Sequence, residues 1–266
     1  MLISFLRRLL RARQPSPMPT LAPAPTFAAG LDAYQAGNLE AAVEKFRAYH
    51  NAHPQDADGH INLGAVLQRL GRYPEALSRF RTAARLAPHD AAARYNIGVI
   101  YHLQGDVTAA EHNYRDALRV DPSYPEAHRE YSMLRLQVGD YSPQVWASFR
   151  ERRRCPGFPL TVSRCPAPPW KGEALAGKGI LTYGEQGLGD EILFASCYPD
   201  LISQSSHCVI ETEPRLEALF RRSFPAATVL GRQRESDLAA VYRSVSWQAP
   251  CGDLPYYYRA SAAAFP

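Results

Sequence analysis

The sequence is poor in the residues that mark secreted, metal-bound or membrane-spanning chains. It has five cysteines, Cys155, Cys165, Cys197, Cys208 and Cys251, an odd count with no CxxC pair and no histidine at metal-ligand spacing. That argues against a disulfide framework or a zinc site, so no metal is expected, and it fits a reducing, cytoplasmic compartment. Lysine is scarce, with only Lys45, Lys171 and Lys178 among 30 basic side chains. The net charge of +4 comes without a basic stripe interleaved with aromatics, so nucleic acid is not an expected partner. Long apolar runs are missing too: the longest at the N-terminus is Met1 to Leu6, far below the roughly 20 residues of a membrane span. It precedes its arginines, the reverse of a secretory signal, and residues 1–22 read as a basic segment, tail or short amphipathic helix, running into a proline-rich linker.

What is present is a globular composition, 46% apolar and 21% charged over 266 residues, enough for two domains. A step of 34 residues dominates the first part. It relates Gly30, Gly64 and Gly98; Gly37, Gly71, Gly105 and Gly139; Ala42, Ala76 and Ala110; Phe46, Phe80 and Tyr114; and Pro54, Pro88, Pro122 and Pro156. The first glycine column lets helix B approach helix A, and the second supplies the left-handed residue that ends helix A. The alanines sit where helices cross, the aromatics fill the space between successive pairs, and the prolines stop helix B. Such helix pairs bury their apolar faces only by stacking, three or more together.

These columns resemble tetratricopeptide repeats over residues 23–156, in units 23–56, 57–90, 91–124 and a degenerate 125–156. The fourth unit replaces the helical glycine by Ser132 and the crossing alanine by Gln144, and its Trp146 and Phe149 are expected to pack against the second domain. The resemblance implies a concave groove that takes a protein or an extended peptide. Asn62 and Asn96 share one position on the groove side of helix A, where Ala28 and Glu130 stand in the outer units. A ladder of amides offers donor and acceptor to a peptide backbone, and solvated polar residues on an exposed face are the alternative.

Prolines at 156, 159, 166, 168 and 169 make 157–169 a linker, and the arginines Arg150 and Arg152 to Arg154 before it read as a solvated junction. Residues 170–266 change character. "GILTYG" reads as a buried strand, then a glycine turn and a helix from about Asp190 that ends or kinks near Pro199. "HCVIETE", the helix "PRLEALFRRSF", the strand "ATVLG" and one further strand or turn follow. Alternating strands and helices predict a small parallel α/β sheet, Rossmann-like. The fold class expected for the chain is therefore an α solenoid followed by an α/β half-domain.

"LTYGEQGLGDEILFA" together with "VIETEPRLEALFRRSFP" and "GDLPYYYR" is similar to the C-terminal region of bacterial repeat proteins related to O-GlcNAc transferase and heptosyltransferases. The resemblance implies the first of two Rossmann-like halves, with no second nucleotide-binding half in this sequence, and matches Asp190 to a proposed base for an acceptor hydroxyl. Glu185, at the strand's end, is a second candidate acid or base. Gly187 and Gly189 would let the backbone approach a ligand. Asp190 alternatively caps the helix it begins.

QGLGD lacks the dinucleotide fingerprint despite Glu211 about 20 positions on, so NAD and FAD are rejected. The histidines of the repeat region have no repeated partner, and Ser203, Ser205 and Ser206 lack a nucleophile-elbow context. The sequence reading is a protein-interaction scaffold with an incomplete transferase-like domain and no evident cofactor. The alternative is a fragment or member of a peptide-directed glycosyltransferase using a nucleotide-sugar donor. A missing partner half would leave an apolar sheet face near the C-terminal tail.

Overall fold

A computed structural model describes residues 25–158, 163–232 and 238–266. The basic segment at 1–22 lies outside the described residues, as do 159–162 of the proline-rich stretch. The chain divides into two compact units, one running up to Leu134 and taking in 154–156, the other comprising 135–153 and 157–266.

The first unit contains α1 (Pro25–Gln35), α2 (Leu39–Ala52), α3 (Ala57–Arg69), α4 (Tyr73–Leu86), α5 (Ala91–Leu103), α6 (Val107–Val120) and the greater part of α7 (Pro125–Gln137). Each A helix ends where sequence spacing puts a glycine: Gly37, Gly71 and Gly105 hold φ of +78°, +74° and +82°, a left-handed conformation that other residues adopt only with strain. Side chains of Asn38, Asp56, Asp90 and Asp106 accept backbone N–H bonds at the starts of α2, α3, α5 and α6, satisfying donors that a helix end leaves free.

The aromatic column lies in cores shared by successive pairs, Phe46 and Phe80 clustering with Leu63, Ile97 and Ile100, and Tyr114 with Ala127 and Leu134. Each ring lies on the helical glycine of its own unit: a Cβ at Gly30 would stand 2.8 Å from Phe46, at Gly64 2.6 Å from Phe80, and at Gly98 2.7 Å from Tyr114. Glycine is therefore required because the partner helix presents a ring, and burying each ring contributes about 1.5–3 kcal/mol. In the fourth unit Ser132 takes that position, fully buried, its hydroxyl donating to the Arg129 carbonyl at 2.9 Å.

The second unit starts with the last turn of α7, Gly139 at φ +84° and the short α8 (Pro143–Arg150). Then come β1 (Gly179–Tyr183), α9 (Leu188–Phe194), α10 (Tyr198–Gln204), β2 (His207–Thr212), α11 (Pro214–Ser223), β3 (Thr228–Gly231), α12 (Leu238–Arg243), β4 (Trp247–Pro250) and α13 (Pro255–Tyr258). The sheet is parallel with order β3-β2-β1-β4, registered with Gly179 beside His207, Ile180 beside Trp247 and Val209 beside Thr228. β1 is buried along its whole length, as an apolar run covered on both faces should be. Leu181, Tyr183 and Val209 share one core cluster with Tyr242 and Val245, while Tyr198, Phe220 and Phe224 join edge to face between α10 and α11. Pro199 falls in the first turn of α10, which is why the helix after the glycine turn breaks there.

Part of the proline-rich stretch is built into this unit. Trp170 N–H donates to Gln248 O at 2.7 Å and Gln248 N–H to Pro168 O at 3.0 Å, extending the sheet beyond β4. Trp146 donates its indole N–H to the Arg259 carbonyl at 2.7 Å, and the Phe149 ring lies 6.0 Å from Phe194, so these aromatics pack on α/β elements. Among the described residues no large apolar side chain of the sheet is exposed, so the apolar sheet face expected near the tail is not seen there. Large exposed apolar side chains in this unit instead include Ile192 and Leu193 on α9 and Leu219 on α11. All five cysteines are free and buried. No helix among the described residues is long and apolar enough to cross a membrane.

Candidate functional site

The turn after β1 lies at the carboxyl edge of the parallel sheet, where open α/β sheets hold ligands. Gly187 is the residue before α9 and has an extended backbone. Asp190 is not the cap of a helix beginning at Glu191, as the sequence suggested. The helix starts three residues earlier, at Leu188, Asp190 occupies its third position, and its Oδ2 accepts the Gly187 N–H at 3.1 Å. The carboxylate thus holds the turn from inside the helix, in the half of a capping box that a glycine N-cap leaves possible. Gly189 lies in the first turn of α9, exposed, with nothing among the described residues within 4 Å of where a Cβ would be.

Glu185 and the arginines before the linker differ most from expectation. Glu185 is 2% exposed, its Oε1 accepting from Arg152 Nη2, which also donates to Asp253 Oδ1 at 2.9 Å. Arg152 is 1% exposed and gives a further bond to the Phe149 carbonyl at 2.9 Å. It is therefore no part of a solvated junction; of that cluster Arg154 is exposed and Arg153 half-buried. Burial pushes the Glu185 carboxyl above its ordinary value, the Arg152 guanidinium pulls it back, and Asp253 adds to the rise. With a guanidinium in direct contact the pair is ionic, and Glu185 is committed to it.

A second buried network lies on the β2 side of β1. Glu191 Oε2 accepts from the Thr212 hydroxyl at 2.5 Å and the Glu213 N–H at 3.1 Å. Arg232 donates to the Gly184 carbonyl at 2.6 Å and stands 3.6 Å from Glu191 and 3.7 Å from Glu211, which accepts from Tyr242 OH at 3.0 Å. Gly184 is the glycine of this turn that packing demands, because a Cβ there would overlap the Glu191 carboxylate. Asp253, Glu191 and Arg232 are not singled out by the sequence, and Arg152 is visible there only within the arginine density before the linker.

In the repeats, Asn62 and Asn96 do not present whole amides. Asn62 Nδ2 donates to Asp58 O at 2.8 Å and Asn96 Nδ2 to Ala92 O at 2.9 Å, each one turn back in its own helix. Asn62 is buried and Asn96 half-buried. Among the described residues no group of three or more histidine, cysteine or carboxylate side chains could hold a metal ion.

The tetratricopeptide repeat family models match residues 55–123 and, separately, 27–77 and 104–156. The chain is 26% identical over 286 residues to Protein FlbA of Caulobacter vibrioides, the match covering 89% of this chain and 48% of that protein. It thus spans about half the length of the curated relative it matches. Among solved structures it is similar to an O-GlcNAc transferase mutant from Thermobaculum terrenum (19% identity, 79% of this chain and 40% of that one, TM-score 0.44). It is also similar to MamA from Desulfovibrio magneticus (20% identity, 49% and 71%, TM-score 0.41). With the 34-residue columns, the left-handed turn glycines and the family matches in agreement, residues 27–156 carry tetratricopeptide repeats.

Proposed function

We propose that the chain is an interaction scaffold whose repeats bind a partner protein or extended peptide, with the α/β unit as a structural companion. The observation that carries this reading is the commitment of Glu185 to Arg152 inside the fold: the strand's end offers a buried ion pair where a catalytic unit would expose an acid or base. A peptide library presented to the full chain tests it. Binding that weakens in Asn96→Ala and Asn62→Ala, with the fold retained, supports groove recognition. Binding untouched by both sinks the use of these amides, and no binding by any peptide or protein sinks the scaffold.

Asp190 favours a second reading, a peptide-directed glycosyltransferase, because it is half-buried in the first turn of α9, at the carboxyl edge of the sheet. The arginines that touch this turn do not fit a nucleotide-sugar diphosphate: Arg152 is held by two carboxylates, and Arg232 is bonded to the Gly184 carbonyl. No step is routed through a donor here. Sugar-nucleotide hydrolysis by the full chain, abolished in Asp190→Asn with unchanged melting, would displace the scaffold reading.

A further inference from the structure

The repeat step places His60, Arg94 and His128 at one position and His50, Ala84 and Leu118 at another. The side chains of the first column reach equivalent carbonyls. His60 Nε2 lies 3.2 Å from Pro54 O, Arg94 Nη1 2.8 Å from Pro88 O, and His128 Nε2 2.9 Å from Pro122 O. Each ties a helix A to the proline loop before it. Of these three units, only the first interface opposes an imidazole with another imidazole. The rings of His50, in the last turn of α2, and His60, in the first turns of α3, meet edge to face with centroids 4.3 Å apart. His60 is 3% exposed, and the Nδ1 atoms of both rings are buried without a hydrogen-bond partner among the described residues.

We propose that this pair is an acid-sensitive latch, and that protonating it releases the first helix pair, α1 and α2, from α3 and α4. Two imidazolium rings at this separation repel, and water cannot solvate either Nδ1–H without opening the interface. The groups that face them strengthen the effect. Arg79 on α4 acts on both rings and Arg85 on His60, both disfavouring a further positive charge; the bond to the Pro54 carbonyl and, less, Asp56 oppose them at His60. Burial is the largest influence on each ring and holds both below the ordinary imidazole value. The open form therefore takes up protons first as pH falls through about 6.5, so docking is intact above that value and is lost below it. Asp58, whose carboxyl burial pushes up, works with the opposite sign and cannot produce loosening in acid. At the second interface Ala84 and Arg94 hold no group that titrates in this range, and at the third His128 meets Leu118 at the partner position, so the first interface alone of these three has the paired rings.

Hydrogen–deuterium exchange of the full chain at pH 7.5 and 5.5, normalised for intrinsic exchange, tests the latch. The expected result is an opening equilibrium for residues 25–52 that rises about ten-fold per pH unit for each imidazole protonated only in the open form, while residues 91–120 stay protected. His60→Gln, whose amide still reaches Pro54 O, and His50→Gln should each flatten the response. Equal loosening of all repeats, unchanged protection of 25–52, or an undiminished response in His50→Gln would overturn the proposal, and that last variant decides the matter if His60→Gln fails to fold.

Discussion

Arg152 and Glu185, 33 positions apart, form an ion pair in which neither side chain is more than 2% exposed. The same guanidinium reaches Asp253 and the Phe149 carbonyl, and its carbon lies 4.3 Å from the centre of the Phe149 ring. One side chain thereby joins the end of α8, the turn after β1 and the loop after β4. Gly252 leaves the room for it, since a Cβ there would overlap both Glu185 and Arg152.

Removing one member of such a set leaves buried charge unpaired, which costs far more than the intact pair contributes. Arg152→Met is expected to destabilise the second unit by about 3–5 kcal/mol, read from urea unfolding followed by tryptophan fluorescence. Adding Glu185→Gln should recover part of the loss. In Arg152→Met alone, stability should rise on acidification, because a buried carboxyl without its cation takes up a proton at higher pH in the folded state than in the unfolded one. Equal stability of Arg152→Met and the parent chain would show the pair to be dispensable.

The glycines separate by what surrounds them. Gly64→Ala drives a Cβ to 2.6 Å from the Phe80 ring, and about 1–3 kcal/mol of destabilisation is expected from overpacking. Gly189→Ala adds a methyl in open space at a helical position and should stabilise by about 0.5–1 kcal/mol. Paired thermal melts of the two variants check the signs. A destabilising Gly189→Ala would mean the turn needs glycine for a reason that packing within the fold does not supply.

What the sequence revealed follows from the range of the interactions. Gly71 at its left-handed turn and the run Gly179 to Tyr183 are local features, and both were legible from period and composition. Arg152 was misread because its partners lie 33 and 101 positions away, and a row of arginines resembles a solvated run until the carboxylates are located. Asp190 was placed at the helix start one turn too simply, since a third-position carboxylate reaching back to a glycine N–H leaves the same residue types in sequence as a true N-cap. The contact of the Phe80 ring with Gly64 of its own unit was not legible, because a 34-residue period identifies equivalent positions but not which helices they join.

Asp140 follows the turn glycine of the fourth pair and accepts from Ser142 N–H at 2.9 Å and from Arg135 Nη2 at 2.9 Å. The Ser142 amide is the main cause holding its carboxyl below the ordinary value, burial working against it and Arg135 assisting. A depressed carboxyl contributes stability that is present above its unfolded value, about 3.9, and lost as pH falls through the lower folded one. Asp140→Asn should cost about 1 kcal/mol at pH 7 and nothing near pH 2, measured by denaturant midpoints across that range. An identical deficit at both pH values would assign the effect to shape rather than charge.

The proline-carbonyl column provides the last prediction. Arg94 differs in charge from His60 and His128 yet makes the same bond, to Pro88 O at 2.8 Å, so the position requires a donor of that reach rather than a titratable ring. Arg94→Ala should lose about 0.5–1 kcal/mol by removing the donor to the exposed Pro88 carbonyl, and Arg94→His should restore most of it at pH 7.5. The histidine variant faces Ala84's column position rather than a second imidazole, so it should gain little of the acid response expected at His50 and His60. Melting temperatures at pH 7.5 and 5.5 distinguish these outcomes. If Arg94→His is no better than Arg94→Ala at pH 7.5, the donor reading of the column fails; if it turns strongly acid-sensitive, a lone imidazole suffices and the pairing of rings is not what makes the first interface responsive.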